Sequence, residues 1–258
     1  EQLSPALLEL GCPARVYIPL EEVSRLESLP GEGPEWCAVL PRVWRDRDEP
    51  ALRTLLEWAR ALGFTGVLIG NLGHLPLVRG LDFHLYGDYG LNVFNSRSLA
   101  YLKDKELESA CVSFELRFAQ IRDLKKVLRA EAIVYGRLPL MITENCLVQN
   151  ETGCRLDRQG PCVPEDGPCR CGQPNVLVDR TGAAFPLLPA YGHRTEIQNS
   201  KPLYLADRPE HRRLGLAYAR LRFTTETAEE CVSVVQNYLD AAPAAGDFTR
   251  GLYERGVE

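Results

Sequence analysis

Short apolar blocks alternate with stretches of helical spacing along most of the chain. ARVYIPL (14–20) and WCAVLP (36–41) are nearly continuous apolar runs, the pattern of buried strands. EPALRTLLEWARALG (49–63) differs: Leu52, Leu55, Leu56, Ala59 and Leu62 recur at helical spacing. Pro50 suits a first helical turn, and Gly63 closes the C-terminus. FTGVLIG (64–70) predicts a third strand and FHLYGDYGLNVF (83–94) a fourth, followed by a short helix around 96–104. CVSFEL (111–116) predicts a fifth strand, and 118–130 a helix with Ile121, Leu124, Val127 and Leu128 inward. EAIVYG (131–136) is a sixth strand, and PLYLAD (202–207) and LAYARLRFT (216–224) supply two more. A last helix starts at Thr227, where Glu230 completes a capping box. Its apolar stripe is Cys231, Val234, Val235, Tyr238 and Leu239.

Alternation of this kind predicts a parallel sheet, and about eight units predict an α/β fold of (β/α)8-type barrel form. An open doubly wound sheet is the alternative, but no G-x-G-x-x-G or P-loop pattern supports it. The 258 residues, 45% hydrophobic and 25% charged, suit a soluble globular protein of one large domain, or two small ones, with a real core. The expected module covers 1–240, with 241–258 as a tail, linker or docking segment. The chain starts without Met, so a fragment of a longer polypeptide is expected. No apolar run approaches the roughly 18 residues of a membrane span. The net charge of −5 leaves no basic arm. RNA binding would therefore need a local patch or another region of the intact protein.

Several predicted strands end in polar or glycine clusters: GNLGH (70–74), GDYGLNVFNS (87–96), Glu115, and YGRLPLMITEN (135–145). In a parallel barrel these ends open on one face, where active sites are built. Asn92, Asn95, Glu115 and Arg137 are the residues expected to line a pocket there. Arg137, following a glycine, suits a fork for a carboxylate or phosphate. The competing reading is that these residues make turns and that Arg137 is a surface cation.

Residues 144–182 hold Cys146, Cys154, Cys162, Cys169 and Cys171, spaced C-x7-C-x7-C-x6-C-x-C. Cys12, Cys37, Cys111 and Cys231 lie in or beside core elements and read as small hydrophobes. The cysteine-rich loop, inserted after strand six, is polar and cannot pack as ordinary core. Its odd cysteine count in an α/β chain argues against a disulfide scaffold. Thiolates in a polar loop suit zinc or an iron–sulfur cluster, with inert thiols as the alternative, since no C-x2-C pair is present.

EAIVYGRLPLMITENC, the cysteines, LVDRTGAAFPLL, GHRTEIQNSKPLYLAD and LRFTTE, in that order, resemble the peptidase U32 family, also called collagenase-like peptidases. The resemblance is strongest over about 131–226 and extends to GNLGH and GDYGLNVFNS. It implies a barrel and a cysteine-ligated 4Fe–4S cluster, as in members that hydroxylate RNA bases or the ubiquinone ring without oxygen. For the RNA-modifying members it implies prephenate as hydroxyl source. Cys146 matches the first family cysteine, Cys154 the second, and Cys169 or Cys171 the third. His193 stands where relatives tend to have another cysteine, and can ligate iron or zinc. Alternatively Cys169 and Cys171 both ligate; Cys162 falls outside the family pattern. The expected activity is an iron–sulfur hydroxylase in the cytoplasm. The competing readings are a peptidase and a zinc-stabilised structural module. The peptidase label lacks an H-E-x-x-H or G-x-S-x-G motif here.

Overall fold

The computed structural model describes residues 2–29, 33–152 and 173–256. Twelve strands are assigned among them: β1 (Arg15–Pro19), β2 (Glu35–Val39), β3 (Gly66–Ile69), β4 (His84–Gly87), β5 (Leu107–Cys111), β6 (Arg129–Gly136), β7 (Pro139–Thr143), β8 (Asn175–Val178), β9 (Ala184–Ala190), β10 (Arg194–Gln198), β11 (Leu203–Tyr204) and β12 (Tyr218–Arg222). The helices are α1 (Pro5–Glu9), α2 (Leu20–Val23), α3 (Glu49–Ala61), α4 (Leu75–Val78), α5 (Ser96–Asp104), α6 (Phe118–Asp123), α7 (Leu147–Thr152) and α8 (Ala228–Asp240).

The first six strands pair in sequence order, each parallel to the next, and β12 adds in parallel to β6. The sheet is curled, because Arg15 of β1 hydrogen-bonds Ser109 of β5 and Tyr218 of β12. Arg220 of β12 likewise rests over the ring of Tyr17 of β1. A flat sheet would hold its first and last strands far apart, since neighbouring strands are spaced about 4.8 Å. Among the described residues β1 and β12 share no ladder, so side chains bridge that seam.

Alternation along the strands separates two environments. Trp36, Ala38, Val67, Ile69, Ala110, Ala130, Ala132 and Val134 are buried in the main apolar core, which includes Leu20 and Val23 of α2 and Leu52, Leu56 and Ala59 of α3. The alternate positions Arg15, Tyr17, Glu35, Ser109, Glu131 and Arg220 meet one another inside the curl. On α8, Thr227 and Glu230 form the expected reciprocal cap. The segment after α8 packs back: Tyr253 is buried and donates to the Ile133 carbonyl, and Arg250 pairs with Asp207.

A second, four-stranded antiparallel sheet runs in the order β7-β10-β9-β8. Sequence reading assigned none of these strands. Their residues include prolines at 139, 186 and 189, which demote a strand by pattern, and β8 is exposed over three of its four residues. Other boundaries move as well. The fifth strand is Leu107–Cys111, so Cys111 ends it and Glu115 lies in the turn beyond. The helix expected over 118–130 stops at Asp123, because β6 already starts at Arg129. PLYLAD contributes only Leu203–Tyr204, antiparallel to β6. The chain leaves β6 at its C-terminal end for the small sheet and returns at that same end, so β11 must run against β6. The cysteine-rich run therefore follows β7 of the small sheet, and contains α7 and β8.

Candidate functional site

Inside the curl, Arg15 donates to Glu35 (2.8 Å) and Ser109 (2.8 Å), and approaches Glu131 at 3.4 Å. Glu131 is buried and accepts from Arg220 (2.6 Å), Ser109 (2.7 Å) and the Tyr17 hydroxyl (3.1 Å). Arg220 also pairs with Asp88 just beyond β4. Burial opposes the charge on Glu131, but Arg220, Ser109 and Arg15 outweigh it and hold its pKa below the usual carboxylate value. Burial, with Glu131 second, pushes the Tyr17 phenol up, so it stays a donor. This satisfied network fills the interior of the curled sheet.

At the C-terminal ends of the strands a second charged group sits under the small sheet. Arg222, the last residue of β12, donates to Glu196 (2.7 Å) and Gln198 (2.6 Å) of β10 and to the Arg137 carbonyl (2.7 Å). Gln198 donates to Glu196 at 2.8 Å, and the Tyr89 hydroxyl, in the turn after β4, lies 3.5 Å from Glu196. Arg42, in the loop after β2, stands 3.8 Å from Glu196 and over the Tyr89 ring. Burial, then Glu196, raises the Tyr89 pKa, so it too remains protonated. Two guanidiniums thus face one carboxylate at the mouth. The buried His74 ring bonds through Nε2 to the carbonyl of Pro41 (3.0 Å), the residue before Arg42, so Nε2 carries the proton. Its Nδ1 has no partner among the described residues.

The cysteine-rich run is tied to this same end. Glu144 bridges Arg45 (2.8 Å), in the loop after β2, and Arg194 (3.1 Å) of β10. Cys146 is buried, and the amide of the next residue, Leu147, donates to Thr195 of β10. Thr195 pairs with Thr143 in the β7–β10 ladder, and two steps further that register would set His193 opposite Asn145. His193 itself turns the backbone into the left-handed region (φ 59°). The other ligand candidates, Cys154, Cys169 and Cys171, and also Cys162, lie outside the described residues.

The model of peptidase family U32 matches residues 29–175, more than half of the chain. The chain belongs to peptidase family U32. No curated protein matches it. The U32 match runs from the approach to β2 into β8 and includes all five clustered cysteines. His193, Glu196 and Arg222 lie beyond it.

On this U32 fold the residues singled out in the sequence are dispersed. Asn92 is exposed and takes the left-handed conformation at the end of the turn after β4. Asn95 is exposed and caps α5, its side chain accepting from the Ser98 amide at 3.0 Å. Glu115 is half-buried, with its amide held by Ser113. Arg137 donates to the carbonyls of Asn199 (3.1 Å) and Ser200, and its Nε is buried without a partner among the described residues. It lines a cavity of about 290 Å³ with Tyr135, Thr225, Glu226 and Glu230. Gly136 before it has φ +117°, and an added Cβ would collide with the Arg222 carbonyl. The structure brings Arg137 to Arg222 through the backbone only. Asn92, Asn95 and Glu115 make no hydrogen bond with it among the described residues.

The residues that sequence reading missed are Arg42, Tyr89, Glu196, Gln198, Arg220 and Arg222. Glu196 and Gln198 alternate in RTEIQ, and Arg220 and Arg222 alternate in YARLR. Polar or charged residues at every second position of a strand were the available signal. Of the other cysteines, Cys37, Cys111 and Cys231 are buried, as expected of small hydrophobes, whereas Cys12 is exposed. No helix among the described residues is long and apolar enough to cross a membrane.

Proposed function

We propose that this chain is the barrel module of an iron–sulfur-dependent, oxygen-independent hydroxylase acting on RNA bases or a related small ring in the cytoplasm. The curled sheet is read as an incomplete (β/α)8-type barrel. The observation that carries the proposal is the position of Cys146. It leaves the β7–β10 ladder beside Thr195, the neighbour of Glu196, which meets Arg222 at the mouth. A redox cluster acts on a substrate only at short range, and this tether is made to β10, the strand that also carries Glu196.

The donor set fits the group: a buried soft thiol, a histidine at the end of the same ladder, and further cysteines in the run between β7 and β8. Cys146, Cys154, Cys169 or Cys171, and His193 would hold a 4Fe–4S cluster. Bound there, the cluster would supply electron transfer at the mouth. The chain's own side chains do the rest. Arg42 and Arg222 supply positive charge for an anionic donor such as prephenate, and Tyr89 keeps a hydroxyl proton to donate. Arg137 anchors the strand crossing of β6 to the segment before β11, and its free edge can take a further acceptor. With a net charge of −5, RNA would be held through other regions of the intact protein.

Peptide hydrolysis has less support. Burial raises the thiol pKa of Cys37 and pushes that of Cys111 up to about 12, so neither supplies a thiolate nucleophile. The test is iron and sulfide analysis of protein purified without air. Comparable amounts of both, lost in Cys146→Ala and kept in Arg137→Ala, are expected, with Arg137→Ala abolishing activity in the intact protein. Colourless protein with stoichiometric zinc, or casein cleavage lost on chelation, would contradict the proposal.

A further inference from the structure

The geometry points to Arg42 as the residue that binds the anionic group of a small carboxylate or phosphate ligand at the barrel mouth. This deepens the hydroxylase reading and rests on the mouth being its reaction site. Three observations carry it. First, Arg42 is held in place without using its donors. Its stem runs through a slot between the loops after β3 and β4: an added Cβ on Gly70 would meet Arg42 Cγ at 3.1 Å, and one on Gly90 would meet Arg42 Cδ at 3.3 Å. The Gly90 Cβ would also fall 2.6 Å from the Gly70 carbonyl oxygen, so any side chain there would close the slot. The Tyr89 ring lies 5.2 Å from the guanidinium and orients it.

Second, the fork is unused. Among the described residues Arg42 donates no side-chain hydrogen bond, and its nearest carboxylate oxygen, on Glu196, is 3.8 Å away. An arginine carries five N–H donors, and a planar fork with its stem fixed pays little entropy to bind a planar anion. The side chain is 28% exposed, open enough to be reached from solvent. Arg222, by contrast, spends its donors on Glu196, Gln198 and the Arg137 carbonyl. Arg137 spends two contacts on backbone carbonyls and faces Glu226 and Glu230 across its cavity.

Third, the two guanidiniums at the mouth, Arg42 and Arg222, share one direct carboxylate partner, Glu196, while Asp88 pairs directly with Arg220 below. Glu196 sets a sign: its carboxylate repels an arriving anion, so neutralising it strengthens binding.

The test is calorimetric titration of the chain with malonate and with inorganic phosphate at constant ionic strength, alongside iron and sulfide analysis of the same samples. Malonate binding to the unaltered protein is expected, weakened about tenfold or more in Arg42→Ala, in line with loss of a charge-assisted fork. Arg42→Lys keeps stem and charge but not the fork, and should lose more affinity for malonate than for phosphate. Glu196→Gln should bind more tightly, and the surface variant Arg25→Ala should be unchanged. The inference is overturned if the unaltered protein binds neither anion, or if a folded Arg42→Ala binds as well as it does. Should Arg42→Ala fail to fold, unchanged selectivity in Arg42→Lys overturns it. Anion binding through Arg42 in protein without iron would sink the hydroxylase reading and leave this one standing. Iron-containing protein with normal binding in Arg42→Ala would do the reverse.

Discussion

His74 shows how one side chain can govern the mouth. Its imidazole is fully buried and holds the Pro41 carbonyl, the residue before Arg42. Burial lowers its pKa to about 4, only partly offset by that hydrogen bond. The unfolded chain therefore takes up this proton at about pH 6.5, and the folded one only near 4. Between these values the unfolded state binds more protons, so stability is full above pH 6.5 and falls as the pH drops towards 4. The loss reaches up to about 3 kcal/mol. Urea unfolding at stepped pH should show it, and His74→Gln, neutral throughout, should flatten that part of the profile. An unchanged slope in the variant would contradict this assignment. At Gly136 the constraint is backbone: with φ +117° and the Arg222 carbonyl against it, Gly136→Ala should cost more than about 2 kcal/mol. A thermal melt within a degree or two of the unaltered protein would refute the clash.

Among the elements, β6 and β12 share a ladder, whereas β1 is joined to both of them by charge. Arg15, Glu131 and Arg220 come from three strands and are all nearly buried. Removing one partner leaves an uncompensated buried charge, so Glu131→Leu alone should cost about 3–5 kcal/mol. Glu131→Leu with Arg220→Met should cost clearly less than the two single changes summed. Additive losses in chemical denaturation would show that the pair does not act as a unit. The strands themselves were legible because their outward faces are apolar and short, and α3 and α8 because their stripes and caps are regular. The small antiparallel sheet was not, because proline-bearing, half-exposed strands carry neither period cleanly. The site was legible only where it coincided with a motif. GNLGH and GDYG lie in the loops after β3 and β4, and two of their glycines, Gly70 and Gly90, admit Arg42. That arginine, in the unremarked stretch PRVWR, meets Glu196 and Arg222 only through folding.

At the scale of the whole molecule, a curled parallel sheet gathers its strand ends beneath a small antiparallel sheet, and the cysteine-rich run leaves from that cap. Membership in family U32 and the barrel-like α/β architecture agree with one another. We propose that the arginine-lined mouth and the cysteine-rich run form one redox site. The most direct test is electron paramagnetic resonance of the anaerobically purified, chemically reduced protein, recorded with and without malonate. An iron–sulfur signal whose g-values shift on adding malonate, with the shift lost in Arg42→Lys and the signal itself lost in Cys146→Ala, is the predicted result. A protein with no such signal, or with one that malonate leaves untouched at saturating binding, would contradict the account.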